Sequence, residues 1–205
     1  EFSVSRFRNQ QGNIRYKNTK HTWKDGKCAF CGALRQKYDR GEELETHAYE
    51  LIHTNRPEGI FDMKFDVIIG NPPYQMTFGI EGGNSANAKS IYNLFIQQAI
   101  RLNPKHLCMI TPSRWMTKTA QGIPESWVDS MLQSNKFKII HDFENASECF
   151  PGVEIKGGVN YFLWENDYNG KREYHFHQAV DGKVITRTDY LDYKNSGIVV
   201  RDPQA

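Results

Sequence analysis

Asn71-Pro72-Pro73-Tyr74 follows directly on the run Phe65-Asp66-Val67-Ile68-Ile69-Gly70, and its residue types point to a particular chemistry. An exocyclic amine on a heteroaromatic ring has a delocalised lone pair. It is a poor nucleophile until acceptors hold its N–H bonds and favour a more tetrahedral nitrogen. The Asn71 side-chain oxygen and the Pro72 backbone carbonyl are two such acceptors, aimed by the stiff backbone that Pro72 and Pro73 impose. Tyr74 adds an aromatic face, against which an unstacked base gains about 1–3 kcal/mol. The set suits methyl transfer to a base amine, with no general base needed at the start.

Other residues compete for attention. Cys28-Ala29-Phe30-Cys31-Gly32 is a knuckle-like cysteine pair, and His21, His47 or His53 are candidates to complete a zinc tetrahedron. Nothing in their spacing selects two of the three, so the pair reads as ordinary reduced thiols rather than structural zinc, and no metal is assigned. Glu154-Ile155-Lys156 with Asp142 resembles the acid and Glu-x-Lys set by which nucleases hold magnesium and steady a water. Read more simply, Lys156 and Arg114 are candidate contacts to a nucleic-acid backbone. His175 and His177 share one face of a strand and, as two histidines alone, read as surface, and Cys108 and Cys149 read as core thiols.

These residues need a frame. Phe65 to Ile69 is short, apolar and β-branched, which predicts a central strand buried on both faces, and the prolines force the chain out of the sheet after Gly70. A Gly/Asn loop containing "FGIEGGN" (78–84) follows and is expected to be a mobile active-site loop. "SIYNLFIQQAIRL" predicts a helix with Ser90 as its N-cap and Ile91, Leu94, Phe95, Ala99 and Leu102 along one stripe. "HLCMIT" (106–111) predicts a second buried strand, Pro124 opens a helix carrying Trp127, Met131 and Leu132, and "FKIIHDF" (137–143) a third strand. Alternating strands and helices imply an α/β fold with a parallel sheet and right-handed crossovers. "GGVNYFLWE", "REYHFHQ" and "KVITRTDY" alternate and predict an antiparallel edge. Upstream, "GEELETHAYELIH" (41–53) predicts a short helix.

The chain has 205 residues, 39% of them hydrophobic, enough for a core, and 26 basic against 24 acidic side chains give a net charge of +2. Any nucleic-acid partner must therefore meet a local basic surface. Residues 1–27 supply a candidate, with seven basic and two acidic side chains interleaved with aromatics. Four cysteines, without an apolar signal segment or a long apolar stretch, fit a reduced cytoplasmic protein with no membrane association. The opening Glu-Phe, in place of Met, fits a fragment of a longer polypeptide.

With these motifs in hand, residues 61–166 resemble the catalytic segment of S-adenosylmethionine-dependent, adenine-specific DNA methyltransferases with an "NPPY" motif, of the bacterial restriction–modification kind, including type IIG-like fusions to an endonuclease. "MITPSRWM" (109–116) resembles that family's next catalytic-face segment. "ECFPGVEIKGGVNYFLW" (148–164) resembles the segment whose Phe, just before a Pro, packs on the far face of the flipped base. The resemblance implies a partial Rossmann-like fold, catalytic roles for Asn71, Pro72, Pro73 and Tyr74, base contact by Phe150, and S-adenosylmethionine against Gly70 and Asn71. Double-stranded DNA is the implied partner. No glycine-rich loop after a first strand and no acidic residue ending a second is found, so the cofactor-binding half is expected upstream of Glu1 or, in a permuted order, downstream of Ala205. The rest of the same methyltransferase is thus a second implied partner, and the chain alone is expected to be inactive. By this division residues 1–60 are an irregular basic arm or insertion, 61–166 the catalytic half, and 167–205 a hairpin leading to target recognition. Alternatives from other classes are a non-catalytic DNA-binding fragment and a methyltransferase acting on RNA or protein glutamine.

Overall fold

The structure, a computed structural model, describes residues 21–39, 51–61, 63–77 and 88–202. Residues 1–20 of the basic arm, 41–50 of the expected helix and the whole "FGIEGGN" loop lie outside the described residues. The chain forms two compact units, Glu1–Lys64 and Phe65–Ala205. No helix among the described residues is long and apolar enough to cross a membrane.

In the first unit, β1 (Trp23–Lys24) and β2 (Lys27–Cys28) pair antiparallel across Asp25-Gly26. Their φ angles of 51° and 75° are the two left-handed residues that a two-residue hairpin turn requires. The chain then folds tightly: the Gly32 N–H donates to the Cys28 carbonyl at 2.9 Å, and the Cys28 N–H to the Ala33 carbonyl at 2.8 Å. α1 (Arg35–Tyr38) is a single turn. Cys28, Cys31, Ala33, Ile52 and Pro57 are buried here, as is His21.

The second unit runs β3 (Val67–Gly70), β4 (Gln75–Thr77), β5 (Ala88–Ser90), α2 (Tyr92–Arg101), β6 (His106–Pro112), a 3-10 turn over Ser113–Thr117, α3 (Glu125–Gln133), β7 (Phe137–Phe143), β8 (Val159–Glu165), β9 (Arg172–His177) and β10 (Val184–Asp189). Six strands form one sheet in the order β10-β9-β7-β8-β6-β3, and β4 and β5 pair apart from it. β3 is parallel to β6 and β9 to β7, whereas β8 is antiparallel to both of its neighbours and β10 to β9. β3, β6, β7 and β9 thus point one way and β10 forms an antiparallel edge, so the α/β class holds. The alternating run 159–165, expected at an antiparallel edge, instead lies inside the sheet between β6 and β7.

One face of the sheet carries the core. Leu107, Met109, Ile140, Phe162, Trp164, Tyr174 and Phe176 project into it from the strands and meet Tyr92, Ile96 and Ala99 of α2, Val128, Met131 and Leu132 of α3, and Trp115 and Met116 of the 3-10 turn. Each such large apolar side chain contributes roughly 1.5–3 kcal/mol by leaving water. The opposite face differs from expectation. Val67 and Ile69 of β3 are 47% and 78% exposed, and Cys108, Ile110 and His141 are only half-buried. β3 is an edge strand of this sheet with one face open, not a central strand buried on both. Apolar residues on both sides of a strand report a capacity for burial, and the second face has no cover among the described residues. Ser90 also departs from its expected role. It lies on β5 opposite Gln75 and its N–H donates to the Gln121 carbonyl at 2.8 Å, leaving Ile91 as the residue before α2, without a side-chain cap.

Candidate active site

β3 delivers the chain to its carboxyl end, where open α/β sheets bind ligands. Gly70 faces Met109, and a Cβ added there would lie 3.5 Å from Met109 Cε, an ordinary van der Waals contact. Beyond it Asn71 is exposed, Pro72 buried, and Pro73 and Tyr74 half-buried. Neither the Asn71 side chain nor the Pro72 carbonyl is engaged in a hydrogen bond among the described residues. The Ile91 N–H donates to the Tyr74 carbonyl at 3.1 Å, tying the proline corner to the start of α2. The Tyr74 ring meets Tyr92 edge-on, with centroids 6.4 Å apart. Burial, and then the nearby Cys149 thiol, push the Tyr74 hydroxyl up to about 12, so it stays neutral.

A cavity of about 220 Å³ opens beside Tyr74 and is bordered also by Tyr92, Pro112, Arg114, Glu154 and Lys156. Three sequence candidates, Tyr74, Arg114 and Lys156, therefore meet at one cavity. Gly70, Asn71, Pro72 and Pro73 precede it in the chain without lining it, and Phe150 does not line it either. Phe150 is half-buried in a turn where its N–H donates to the Ala146 carbonyl at 2.9 Å and its carbonyl accepts from Val153. Its neighbour Cys149 is close enough to act on the Tyr74 hydroxyl.

Two glycines hold the cavity's second wall. Gly158 has a φ of +82°, and a Cβ there would lie 2.0 Å from the Phe143 carbonyl oxygen; at Gly157, with φ +89°, it would lie 2.7 Å from Arg114 Cγ. Gly157 thus packs on the stem of Arg114, whose guanidinium donates to the Thr119 carbonyl at 2.6 Å. Behind this wall lies a buried polar network that sequence reading missed. Asp142, wholly buried, accepts from Ser113 Oγ and from the Tyr174 hydroxyl at 2.6 Å each, and pairs with Arg201, whose Nε lies 2.7 Å from Oδ2. Arg201 also donates to the Gly157 carbonyl at 2.6 Å, and Asn160 Nδ2 to the Thr111 carbonyl at 3.1 Å. Asp142 is committed to these partners inside the fold, which removes the nuclease reading built on Asp142 and Glu154. Arg201 comes from 59 residues further along, and no local signal could have announced it.

On the open sheet face His141, His175 and His177 form a stacked group: the rings of His141 and His175 lie 4.2 Å apart, and His141 Nδ1 is 3.1 Å from His177 Nε2. Burial first, then the neighbouring histidines, hold His141 and His177 below the ordinary imidazole value.

In the first unit Cys28, Cys31, His21 and His53 come together, each offering a ligand atom within 4.8 Å of the others. The thiols are linked, with Cys31's hydrogen bond pushing Cys28 down and the same bond pushing Cys31 up. The reading of ordinary thiols stood on the lack of two convincing partners, and the structure supplies them; His47 lies outside the described residues.

Comparison with known proteins identifies the family. The family model described as Eco57I restriction-modification methylase matches residues 1–150, and the chain belongs to that family. It is 40% identical over 181 residues to a protein of Mycoplasma pneumoniae described as an uncharacterized adenine-specific methylase, an alignment covering 82% of this chain and 42% of the relative. The chain therefore spans less than half the length of that curated relative. Among solved structures it is similar to a modification subunit of a putative type I restriction enzyme from Vibrio vulnificus, at TM-score 0.42 and 15% identity over 62% of this chain and 28% of that one. It is also similar to the type IIG restriction endonuclease BpuSI, at TM-score 0.42 and 13% identity over 65% and 20%.

Proposed function

We propose that this chain is the amine-activating part of an adenine-N6 DNA methyltransferase in a restriction–modification system. The observation that carries the reading is a proline corner whose two acceptors, the Asn71 side chain and the Pro72 carbonyl, are unengaged among the described residues, next in the chain to a cavity where Tyr74 meets Arg114 and Lys156. In this reading the Asn71 oxygen and the Pro72 carbonyl accept the two N–H bonds of the flipped adenine's amino group and draw its lone pair out of the ring. Pro73 fixes the corner, and Tyr74 lies against the base. Arg114 and Lys156 contact backbone phosphates. Phe150 takes the second face of the base, an assignment that rests on the resemblance of its segment.

This donor set fits the amine side of a methyl-transfer cofactor, which Gly70 and Asn71 would border. S-adenosylmethionine, when bound, supplies a methyl group carried on a sulfonium. The open apolar edge of β3, with Ile69 78% exposed, supports the view that the remaining part of the same methyltransferase completes both sheet and cofactor pocket. The test is methyl transfer from labelled cofactor to duplex DNA by the chain joined to the rest of its reading frame, with nucleoside analysis for N6-methyladenine. Asn71→Ala is expected to abolish the label in DNA while leaving the urea midpoint unchanged. Label appearing in RNA or protein and never in DNA would overturn the reading.

A further inference from the structure

We infer that His21, Cys28, Cys31 and His53 form a closed, structural zinc site. The inference is independent of the methyl-transfer reading and rests on the first compact unit alone. Two sulfurs and two imidazole nitrogens, all mutually within 4.8 Å, are the donor set that zinc takes in its Cys2His2 sites. With Zn–S near 2.3 Å and Zn–N near 2.0–2.1 Å, a tetrahedron has S–N edges of about 3.5–3.6 Å and S–S edges of about 3.8 Å. The Cys31 Sγ to His21 Nδ1 distance is 3.5 Å, already that of a tetrahedral edge. The longest separation needs to contract by about 1–1.5 Å to meet the same geometry. The His21 and His53 rings meet edge-on at 62° with centroids 4.6 Å apart, an angle that lets both nitrogens face one point.

The backbone is shaped for the same purpose. Cys28 and Cys31 flank a tight turn closed by the Gly32 N–H to Cys28 carbonyl bond, with Gly32 at φ 78°. Cys28, Cys31 and His21 are buried, at 3%, 7% and 7% exposure. Two thiolates neutralise the ion and the imidazoles bind neutral, so the filled site carries no net charge into the interior. All four positions are protein ligands, which leaves none open for a substrate and marks the site as structural. It would tie the hairpin at residues 21–31 to His53, 22 residues beyond Cys31. Among the described residues of this unit the buried apolar side chains beside the thiols are Ala33, Ile52 and Pro57, and a metal would add a cross-link to them.

The full 205-residue chain, purified without chelators, is expected to hold one zinc per molecule by elemental mass spectrometry. Replacing that zinc with cobalt(II) should give the intense visible bands of a tetrahedral thiolate site. Cys28→Ser, Cys31→Ser and His53→Ala should each weaken zinc binding at least roughly tenfold in competition with a chromogenic chelator. Cys108→Ser, Cys149→Ser and His47→Ala should leave the stoichiometry at one. Should a ligand variant fail to fold, the cobalt spectrum of the unaltered chain decides alone. An octahedral spectrum, zinc-free protein with all thiols titratable, or loss of zinc in His47→Ala would each overturn the assignment.

Discussion

Alanine at Gly158 would carry a Cβ 2.0 Å from the Phe143 carbonyl oxygen and 2.9 Å from that of Glu144, at a φ of +82°. Two effects add. The left-handed backbone disfavours any side chain by about 1–2 kcal/mol. A carbon needs about 3.3 Å from a carbonyl oxygen, so the backbone must also move by more than 1 Å, and such overpacking adds roughly 1–3 kcal/mol. The segment has little freedom to move, because the Gly158 N–H donates to the Ile155 carbonyl at 2.9 Å and its own carbonyl accepts from Ser113 at 3.0 Å. Gly152 is the natural control: its φ is +78°, yet nothing lies within 4 Å of a Cβ there. Gly152→Ala should therefore show the backbone effect alone, about 1 kcal/mol, and Gly158→Ala about 2–3 kcal/mol more. With a urea m-value of about 2 kcal/mol per molar, the two midpoints should differ by about 1 M or more. Gly157→Ala should fall near Gly152→Ala in stability, because the atom it meets, Arg114 Cγ, belongs to a side chain that can swing away. Midpoints for Gly158→Ala and Gly152→Ala within about 0.25 M of each other would refute the clash.

Asp142→Asn leaves Arg201 facing a buried neutral amide and should lower stability by about 3 kcal/mol; a cycle with Arg201→Ala read in urea should show the two substitutions costing less together than the sum of each alone. Because His141 and His177 are held below the ordinary imidazole value, the unfolded chain binds their protons first. Stability should be full above about pH 6.5 and fall as pH drops below it; urea midpoints between pH 8 and 5 should show this slope, and His141→Gln with His177→Gln should flatten it. Calorimetric titration of the isolated chain with S-adenosylmethionine should give little or no heat, and a robust saturable isotherm would contradict the proposed need for the rest of the methyltransferase.

Local pattern carried much of the fold. The bounds expected for β7 are those observed, α3 begins directly after Pro124, and β6 extends the expected strand by one residue. What failed was inference about surroundings. "HLCMIT" and "FDVIIG" have apolar residues on both sides, but whether each side is covered depends on segments elsewhere in the chain. Ser90 has the chemistry of a cap, yet pairing with Gln75, 15 residues earlier, took it into a strand instead. The same division applies to the sites. Tyr74, Arg114 and Lys156 converge because they sit at strand ends or the following turns, positions that strand order makes predictable. His53 stands 22 residues after Cys31 in the sequence, and only folding reveals that it faces the cysteine pair.

The position of β8 has a consequence for how the protein is made. β6 and β7 both leave the ribosome before β8 and do not pair with each other, so during synthesis each waits with a bare rim of amides and carbonyls. The slot between them is filled only when Val159–Glu165 arrives. Pairings this distant in sequence form late, and waiting rims are apt to join those of other nascent chains. Truncation just before Val159 should therefore yield aggregates rather than a smaller soluble domain, whereas stopping after Glu165 closes the gap and should markedly improve recovery in the soluble fraction.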